Sequence, residues 1–493
     1  MVRKFLILVF IFLLMISSFG LSNSTVGSFV TIGPSKSYFE LDGKPFIPIG
    51  FNYEVTWPNL DSLWQAETNL FGNKEIYLQA AEGFFAKLHA HGVNTLRIFF
   101  EYAYDPSGSS LFENPLGQIN ESLINVWNHI FEYAKKYDIY LIIEPFDPYW
   151  MSKNWVESPF NIKNGGPISS LDDFLINKEV IRDTEFRFKF MIDRWGSSSH
   201  ILAWEINNEI DIWYGRDNAS TIKKYIKTLS DFIVNYEDSK FGMHHLVTVS
   251  TAAPTLSSFM FNAFYENKNL DFFTTHLYLP AVNNPTNTID PAIQVSQAIA
   301  HNLSQMGYSK PYIDSEDGPI NGWSLLPCDS YVEYYHNIMW AEFASGACGP
   351  GFRWNYISNS NTLIIGLDIY KALSDFIDSP GINWLNFEAH YDPSDIEIQG
   401  TVGDYIIPFS CGDKSARIVW ILKDSRKNLS KVDFSAVNLE IFGVESGNYS
   451  VEFWNTYTGK ILNSIRIKAI NGSMSLKINF SKLKDMALKV YKD

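Results

Sequence analysis

Cysteine is scarce in this chain: Cys328, Cys348 and Cys411 are the three in 493 residues. An odd number without metal-ligand spacing excludes a disulfide scaffold, argues against zinc and leaves one bridge possible. Basic residues are also in short supply, with 39 Lys and Arg against 54 Asp and Glu, a net charge of −15. Neither a phosphate backbone nor an anionic lipid surface attracts such a protein, so nucleic acid and acidic membrane are set aside as partners. There is no phosphate-binding glycine loop, no internal repeat, no Pro- or Ser-rich linker and no low-complexity tract. Any two modules therefore pack directly on each other. The one adjacent histidine pair, His244-His245, lacks carboxylates at ligand spacing, so no metal and no cofactor is expected.

What is present is apolar material: 46% hydrophobic residues, 16% aromatic and only 19% charged, enough for a sizeable core. The 14 Trp, 26 Tyr and 37 Phe mostly serve that core, although flat rings also stack on sugar faces. Arg3 and Lys4, an apolar run from Phe5 to Ile16, then Ser17, Ser18 and Gly20 read as a secretory signal over residues 1–20. An uncleaved anchor is the alternative. Either way the bulk is exported, secreted or held at the cell surface. Eight Asn-x-Ser/Thr acceptors (Asn23, Asn120, Asn218, Asn302, Asn428, Asn448, Asn471, Asn479) fit that destination. No obligate protein partner is evident.

From residue 29 to 384, short apolar runs alternate with longer amphipathic stretches, the pattern of βα units. Strands are expected over Phe46 to Ile49, Val93 to Phe100, Ile139 to Ile143, Ile201 to Ile206, Leu246 to Ser250, Phe272 to Thr275, Pro311 to Ile313 and Gly351 to Trp354. Eight such units point to an α/β fold, a (β/α)₈ TIM barrel whose active face is the carboxyl end of the strands. Ahead of them, Ser37 to Leu41 alternates and meets Asp42-Gly43, a hairpin turn whose second arm feeds strand one directly. Residues 385–493 change texture to short alternating strands with no long helix, over Ile396 to Gln399, Tyr405 to Phe409, Arg417 to Leu422, Val437 to Phe442, Tyr449 to Trp454, Ile465 to Ile470 and Leu476 to Ile478. That texture predicts an appended β-sandwich.

Two stretches carry the chemistry: Trp204-Glu205-Ile206-Asn207-Asn208-Glu209 and Ile313-Asp314-Ser315-Glu316-Asp317-Gly318. Each sets a glutamate just past an apolar run. Two carboxylates at the ends of parallel strands suit glycosidic bond cleavage, one as proton donor and the other as nucleophile or cation stabiliser. Together these positions resemble clan A of the glycoside hydrolases, most nearly family 5, over residues 29 to 384. The resemblance implies that Glu209 is the acid/base and Glu316 the nucleophile of a retaining mechanism. It further implies that Arg97 holds Glu316 ionised, that Asn208 binds the sugar 2-hydroxyl, that His276 and Tyr278 form the His-x-Tyr pair with Tyr278 touching Glu316, and that Trp354 floors the sugar site. Two stretches depart from the usual pattern. Strand three ends Glu144-Pro145-Phe146-Asp147 where many members carry a histidine, and strand seven ends Ser-Glu-Asp-Gly where Thr-Glu-Phe-Gly is more usual. Glu205 shares a strand face with Glu209 by alternation and reads as an interior, hydrogen-bonded carboxylate.

The leading expectation is a secreted retaining β-glycosidase acting on a β-linked polysaccharide such as mannan or β-1,4-glucan. Trp57, Trp64, Trp150, Trp155, Trp213 and Trp323 fall in expected active-face loops and are candidates for sugar stacking. An exo-acting β-glycosidase with a closed pocket is the enzyme alternative. A non-catalytic carbohydrate-binding surface protein is the alternative of another class, against which the complete set of Glu209, Glu316, Arg97, Asn208 and Tyr278 weighs.

Overall fold

Asp42 and Gly43 take φ angles of 52° and 73°, the left-handed pair that a two-residue hairpin requires. They join β2 (Phe39–Leu41) to β3 (Lys44–Phe46), with β1 (Thr31–Ile32) on the far side of β2. The computed structural model in which they lie describes residues 27–54, 74–101, 111–213, 219–256, 261–262, 264, 266–326, 328–354 and 360–493. The expected signal over residues 1–20 and the expected loop residues Trp57 and Trp64 lie outside these.

The hairpin does not feed the first parallel strand directly. Phe46 ends β3, the expected strand over Phe46 to Ile49 is absent, and the parallel strand is β4 (Gly50–Glu54). Pro48 has no N–H to give a ladder, and Gly50 marks a close approach: a Cβ there would meet the Thr95 carbonyl oxygen at 1.9 Å. Next to β4 come β5 (Thr95–Phe99), β6 (Tyr140–Glu144), β7 (Ile201–Glu205) and β8 (Leu246–Thr248), all parallel. A second parallel group holds β9 (Ser250–Thr251), β10 (Phe273–His276) and β11 (Tyr312–Glu316). Only two bridges, Asp317 to Arg353 and Asn52 to Trp354, stand where an eighth strand was expected, and they connect β11 back to β4.

The described helices are α1 (Lys74–Ala90), α2 (Glu121–Lys136), α3 (Pro148–Lys153), α4 (Lys178–Trp195), α5 (Ile210–Trp213), α6 (Ala219–Phe241), α7 (Asp290–Gln305), α8 (Tyr331–Phe343) and α9 (Ser360–Asp378). α2 illustrates how they form. Asn120 caps it by accepting from the N–H groups of Ser122 and Leu123, while Leu123, Trp127, Ile130 and Ala134 recur at helical spacing on the buried face.

Beyond the helices, β12 (His390–Tyr391), β13 (Ile396–Ile398), β14 (Ile406–Gly412), β15 (Ala416–Lys423), β16 (Val437–Phe442), β17 (Gly447–Asn455), β18 (Lys460–Ala469), β19 (Ser473–Ile478) and β20 (Asp485–Lys492) form two antiparallel sheets. One has the order β12-β14-β15-β20-β17-β18 and the other β13-β16-β19. β15 explains how they stack, because Ile418-Val419-Trp420-Ile421-Leu422 is apolar on both faces. Ile418, Trp420 and Leu422 join the core shared with the parallel strands and helices, whereas Val419 and Ile421 join a second core between the two antiparallel sheets. β20, which the sequence reading passed over, is the strand between β15 and β17.

Two further expectations change on inspection. The three cysteines are free thiols, so the one possible bridge does not form. Of the glycan acceptors, Asn428, Asn448, Asn471 and Asn479 are exposed, but Asn302 is fully buried and its side-chain amide donates to the Pro254 carbonyl at 2.9 Å. Such a group is closed to modification.

Lys489 on β20 fastens the six-stranded sheet to the helices beneath it. It is 0% exposed, donates to the Phe376 carbonyl and to Ser379 (its carbonyl at 3.0 Å), and lies against the rings of Phe376, Trp384 and Trp454. Removing it takes a buried donor from both carbonyls, of which Phe376 keeps the Ser379 hydroxyl at 2.9 Å, and leaves a hole among the rings. Lys489→Ala is expected to lower the unfolding free energy by about 2–4 kcal/mol, read by urea denaturation. A change within error of zero would show that the ammonium fastens nothing.

Candidate active site

At the carboxyl ends of the parallel strands the arrangement is built around Arg97, on β5 and 0% exposed. Its planar fork has five N–H donors, and all five are used. Nε and Nη2 hold Glu205 at 2.6 and 2.7 Å, Nη1 holds Asn52 Oδ1 at 2.9 Å and Glu316 Oε1 at 2.8 Å, and Nη2 also holds Asn208 Oδ1 at 2.8 Å. Glu205 is therefore an interior carboxylate, as its position on the strand implied. Because the guanidinium can only donate, the Asn208 atom facing it must be oxygen, which leaves the amide NH₂ as the donor Asn208 can offer a ligand.

The other oxygen of Glu316 is equally well occupied. Oε2 accepts from the Tyr278 hydroxyl at 2.9 Å and from Trp354 Nε1 at 2.9 Å. The indole face of Trp354 stacks on Phe99 with ring centres 5.4 Å apart. His276, fully buried at the end of β10, brings the two glutamates together: its Nδ1 is 2.8 Å from Glu209 Oε1 and 3.5 Å from Glu316 Oε2. One oxygen of each glutamate and a His276 ring nitrogen lie within 4.8 Å of one another.

Glu209 stands on strained backbone, with φ of +45°, a left-handed conformation uncommon outside glycine and asparagine. Ser250 holds it there. The Ser250 hydroxyl accepts from the Glu209 N–H at 3.0 Å and donates to Asn208 Oδ1 at 3.2 Å. Asp211, two residues on, accepts from the N–H groups of Ala252 and Ala253 and ties α5 to the segment after β9.

These surroundings split the two carboxyls. Burial raises the pKa of Glu209 above the ordinary 4.5, His276 opposes this, and the negative charge of Glu316 adds to it. For Glu316, burial pushes upward too, but His276, Arg97 and the bond from Trp354 outweigh it and hold the group below 4.5. The pair is thus set as one acid and one anion. Burial would lower the His276 pKa, yet the two glutamates raise it.

Every residue named from the sequence for this site lies here: Arg97, Asn208, Glu209, His276, Tyr278, Glu316 and Trp354. Asn52, Ser250 and Asp211 were missed. Trp150 and Trp155 are half-buried, and the Trp155 indole donates to the Ser169 carbonyl at 3.2 Å; the side chains of Trp213 and Trp323 are not among the described ones. Two sets of donor atoms among the described residues are close enough to hold an ion, Glu209 with His276 and Glu316, and Asp314 with Asp317 and Glu342. In the second, Arg353 supplies positive charge, 3.5 Å from Asp317 and 3.7 Å from Glu342.

A ring of parallel strands with an acid and an anion at its carboxyl end defines a glycoside hydrolase. Residues 53–356, more than half of the chain, match the Cellulase (glycosyl hydrolase family 5) family, and the chain belongs to it. Mannan endo-1,4-beta-mannosidase 4 of Solanum lycopersicum is 22% identical over 355 residues, which cover 65% of this chain and 82% of that protein. The structure of a glycoside hydrolase family 5 protein from Bacteroides vulgatus aligns with a TM-score of 0.60 at 15% identity, over 95% of this chain and 94% of its own. Another, described as a glycoside hydrolase, aligns with 0.59 at 13% identity over 95% and 97%. These likenesses show the fold, and membership of family 5 gives it as the expected (β/α)₈ TIM barrel.

Asn52 is the test of how this site is held. Its amide donates to the carbonyls of Ser315 at 2.8 Å and Phe352 at 2.7 Å, while its oxygen accepts from Arg97. Asn52→Ala takes one partner from each, leaving Phe352 the longer bond from the Asp317 N–H and Arg97 Nη1 its bond to Glu316, and is expected to cost about 3 kcal/mol of stability and about 100-fold in kcat/KM through misplacement of Glu316. Thermal melting beside steady-state kinetics measures both. Wild-type values for each would mean that the ring closes without this amide.

Proposed function

We propose that the chain is an exported retaining β-glycosidase that cleaves a β-linked mannan or β-1,4-glucan by double displacement, with Glu209 as acid/base and Glu316 as nucleophile. The observation that carries this reading is the closeness of the two carboxyls, whose oxygens both lie against His276 Nδ1 and within 4.8 Å of each other. Retention needs carboxyls about 5 Å apart, whereas inversion leaves about 6.5–9.5 Å for a water. In the first step the Glu316 carboxylate attacks the anomeric carbon while Glu209 gives its proton to the departing glycosidic oxygen. The ester that forms removes the charge of Glu316, so Glu209 then keeps its anion more easily and takes a proton from water as that water attacks the same carbon. Arg97, Tyr278 and Trp354 hold the nucleophile in place, and the Asn208 amide meets the sugar 2-hydroxyl.

Mannan is favoured as substrate by the named activity of the tomato relative. Export is supported by the order of charge, apolar run and small residues over 1–20 and by the four exposed acceptor asparagines. Residues 29–384 are assigned as the catalytic barrel. Residues 385–493 are assigned as a β-sandwich, supported by the apolar core its two antiparallel sheets share; its role is structural.

Glu209→Gln and Glu316→Gln are each expected to lower kcat by about 10³-fold or more on the preferred polymer among β-mannans, β-glucans and xylan. The first-formed product is expected as the β-anomer by proton NMR. Because Glu316 must be ionised and is held below 4.5, and Glu209 must be protonated and is held above it, kcat/KM should be bell-shaped. Its acid limb lies below 4.5 and its alkaline limb above, and Arg97→Lys moves the acid limb upward. An α-anomeric product, or full activity in either glutamine variant, sinks the mechanism.

A further inference from the structure

The turn Glu144-Pro145-Phe146-Asp147 leads from β6 into α3, at the same carboxyl end as the two glutamates. Asp147 is 4% exposed. One carboxyl oxygen, Oδ1, accepts from the N–H groups of Tyr149 at 3.0 Å and Trp150 at 3.3 Å, which caps α3 and fixes the side-chain rotamer. The other, Oδ2, makes no hydrogen bond among the described residues. α3 packs against α5, the short helix that begins directly after Glu209.

A cap does not account for this residue. Serine or asparagine caps a helix as well as aspartate does, without placing a third carboxyl beside two others. The fields of Glu316 and, more weakly, Glu209 both reach Asp147. With burial as the larger cause, they push its carboxyl up to about 8. A neutral carboxyl has an O–H to give and a lone pair to receive, which is also what each hydroxyl of a pyranose has. Phe146, by contrast, is buried among Phe160 and Phe174 and presents nothing polar.

We propose that Asp147 is a specificity-determining residue whose Oδ2 binds a hydroxyl of the sugar ring seated between Glu209 and Glu316. The proposal rests on the glycosidase reading above. It places a sugar contact where strand three of this chain departs from the histidine many family members carry, and it distinguishes glycones by which hydroxyl they present to that turn.

The test is a double-mutant cycle between side chain and substrate. Asp147→Ser keeps a capping oxygen and removes the free one. Wild type and variant are compared on the activated aryl β-glycoside that the wild type cleaves and on its 2-, 3-, 4- and 6-deoxy forms. For one deoxy position the wild type is expected to lose about 100-fold in kcat/KM, whereas the variant, already about 100-fold slower on the parent, treats that analogue and the parent within about threefold of each other. The remaining deoxy penalties should match between the two proteins. If every penalty is the same in both, Asp147 touches no hydroxyl and the proposal falls. Should the serine variant fail to fold, Asp147→Thr, whose hydroxyl also caps the helix and leaves no second polar atom, is taken through the same cycle with the same two outcomes. A wild type inert on every parent glycoside and on the β-mannans, β-glucans and xylan alike would instead overturn the glycosidase reading, and this contact with it.

Discussion

One buried guanidinium sets the terms for the rest of this site. Arg97 reaches Glu205, Asn52, Asn208 and Glu316, which stand on or just beyond three other strands, and it has no donor left over. A charge removed from water this completely is tolerable only when each donor finds an acceptor in good geometry. The bidentate pair with Glu205 is neutral as a unit. Glu316 then adds one negative charge to a dry pocket, and a second ionised carboxylate close by is disfavoured. Glu209 is therefore the glutamate that keeps its proton. His276 and that same cation thus hold one carboxyl below the ordinary range, while burial and the neighbouring charge hold the other above it.

The ring of strands supplies the precision that such an arrangement needs. Asn52 sits opposite Arg97 in the β4–β5 register and opposite Trp354 in the bridge that links the last parallel segment to the first. Its side chain spans both gaps. The contacts that close the ring are thus the contacts that fix Arg97, the Ser315 carbonyl and, through them, Glu316. Stability and positioning share atoms here, so weakening one weakens the other. Trp354 repeats the theme, with its face on Phe99 and its N–H on Glu316.

Much of this was legible because it is local. Strand ends can be read from short apolar runs, and Glu209, His276, Glu316 and Trp354 each fall at or just past one, while Arg97 interrupts one as its lone charge. What escaped depends on approach between distant segments. The expected strand over 46–49 ended just before Gly50, where the close approach of Thr95 starts the true one, and that misplacement hid Asn52. β20 was passed over although Met486, Leu488 and Val490 alternate; on its opposite face Lys489, a residue type usually left in water, is enclosed by three rings and two carbonyls. Asn302 matched a glycan acceptor motif that says nothing about burial. The eighth strand shrank to two bridges: backbone bonds from Asn52 N–H to Arg353, from Phe352 N–H to Asp314 and from Asp317 N–H to Phe352 tie the segment to its neighbours, and side chains add Asn52 on Phe352 and Glu342 on the Gly351 N–H at 2.6 Å.

The backbone at Glu209 shows why sequence pattern alone misplaces a carboxylate. Alternation puts residues 205 and 209 on one face, yet β7 ends at Glu205, which turns down to Arg97, and Glu209 reaches His276 from a left-handed residue beyond the strand. For a glutamate that conformation costs roughly 1–3 kcal/mol. Glycine would relax it and remove the carboxyl. The strain persists because Ser250 grips the Glu209 N–H and Asp211 anchors the following turn with two further backbone bonds, so the alternative conformations lose more than the strained one. A side chain that must meet a histidine two strands away while its neighbour Asn208 meets Arg97 cannot lie on a regular ladder, and the irregular residue is the one whose carboxyl is held above the ordinary range.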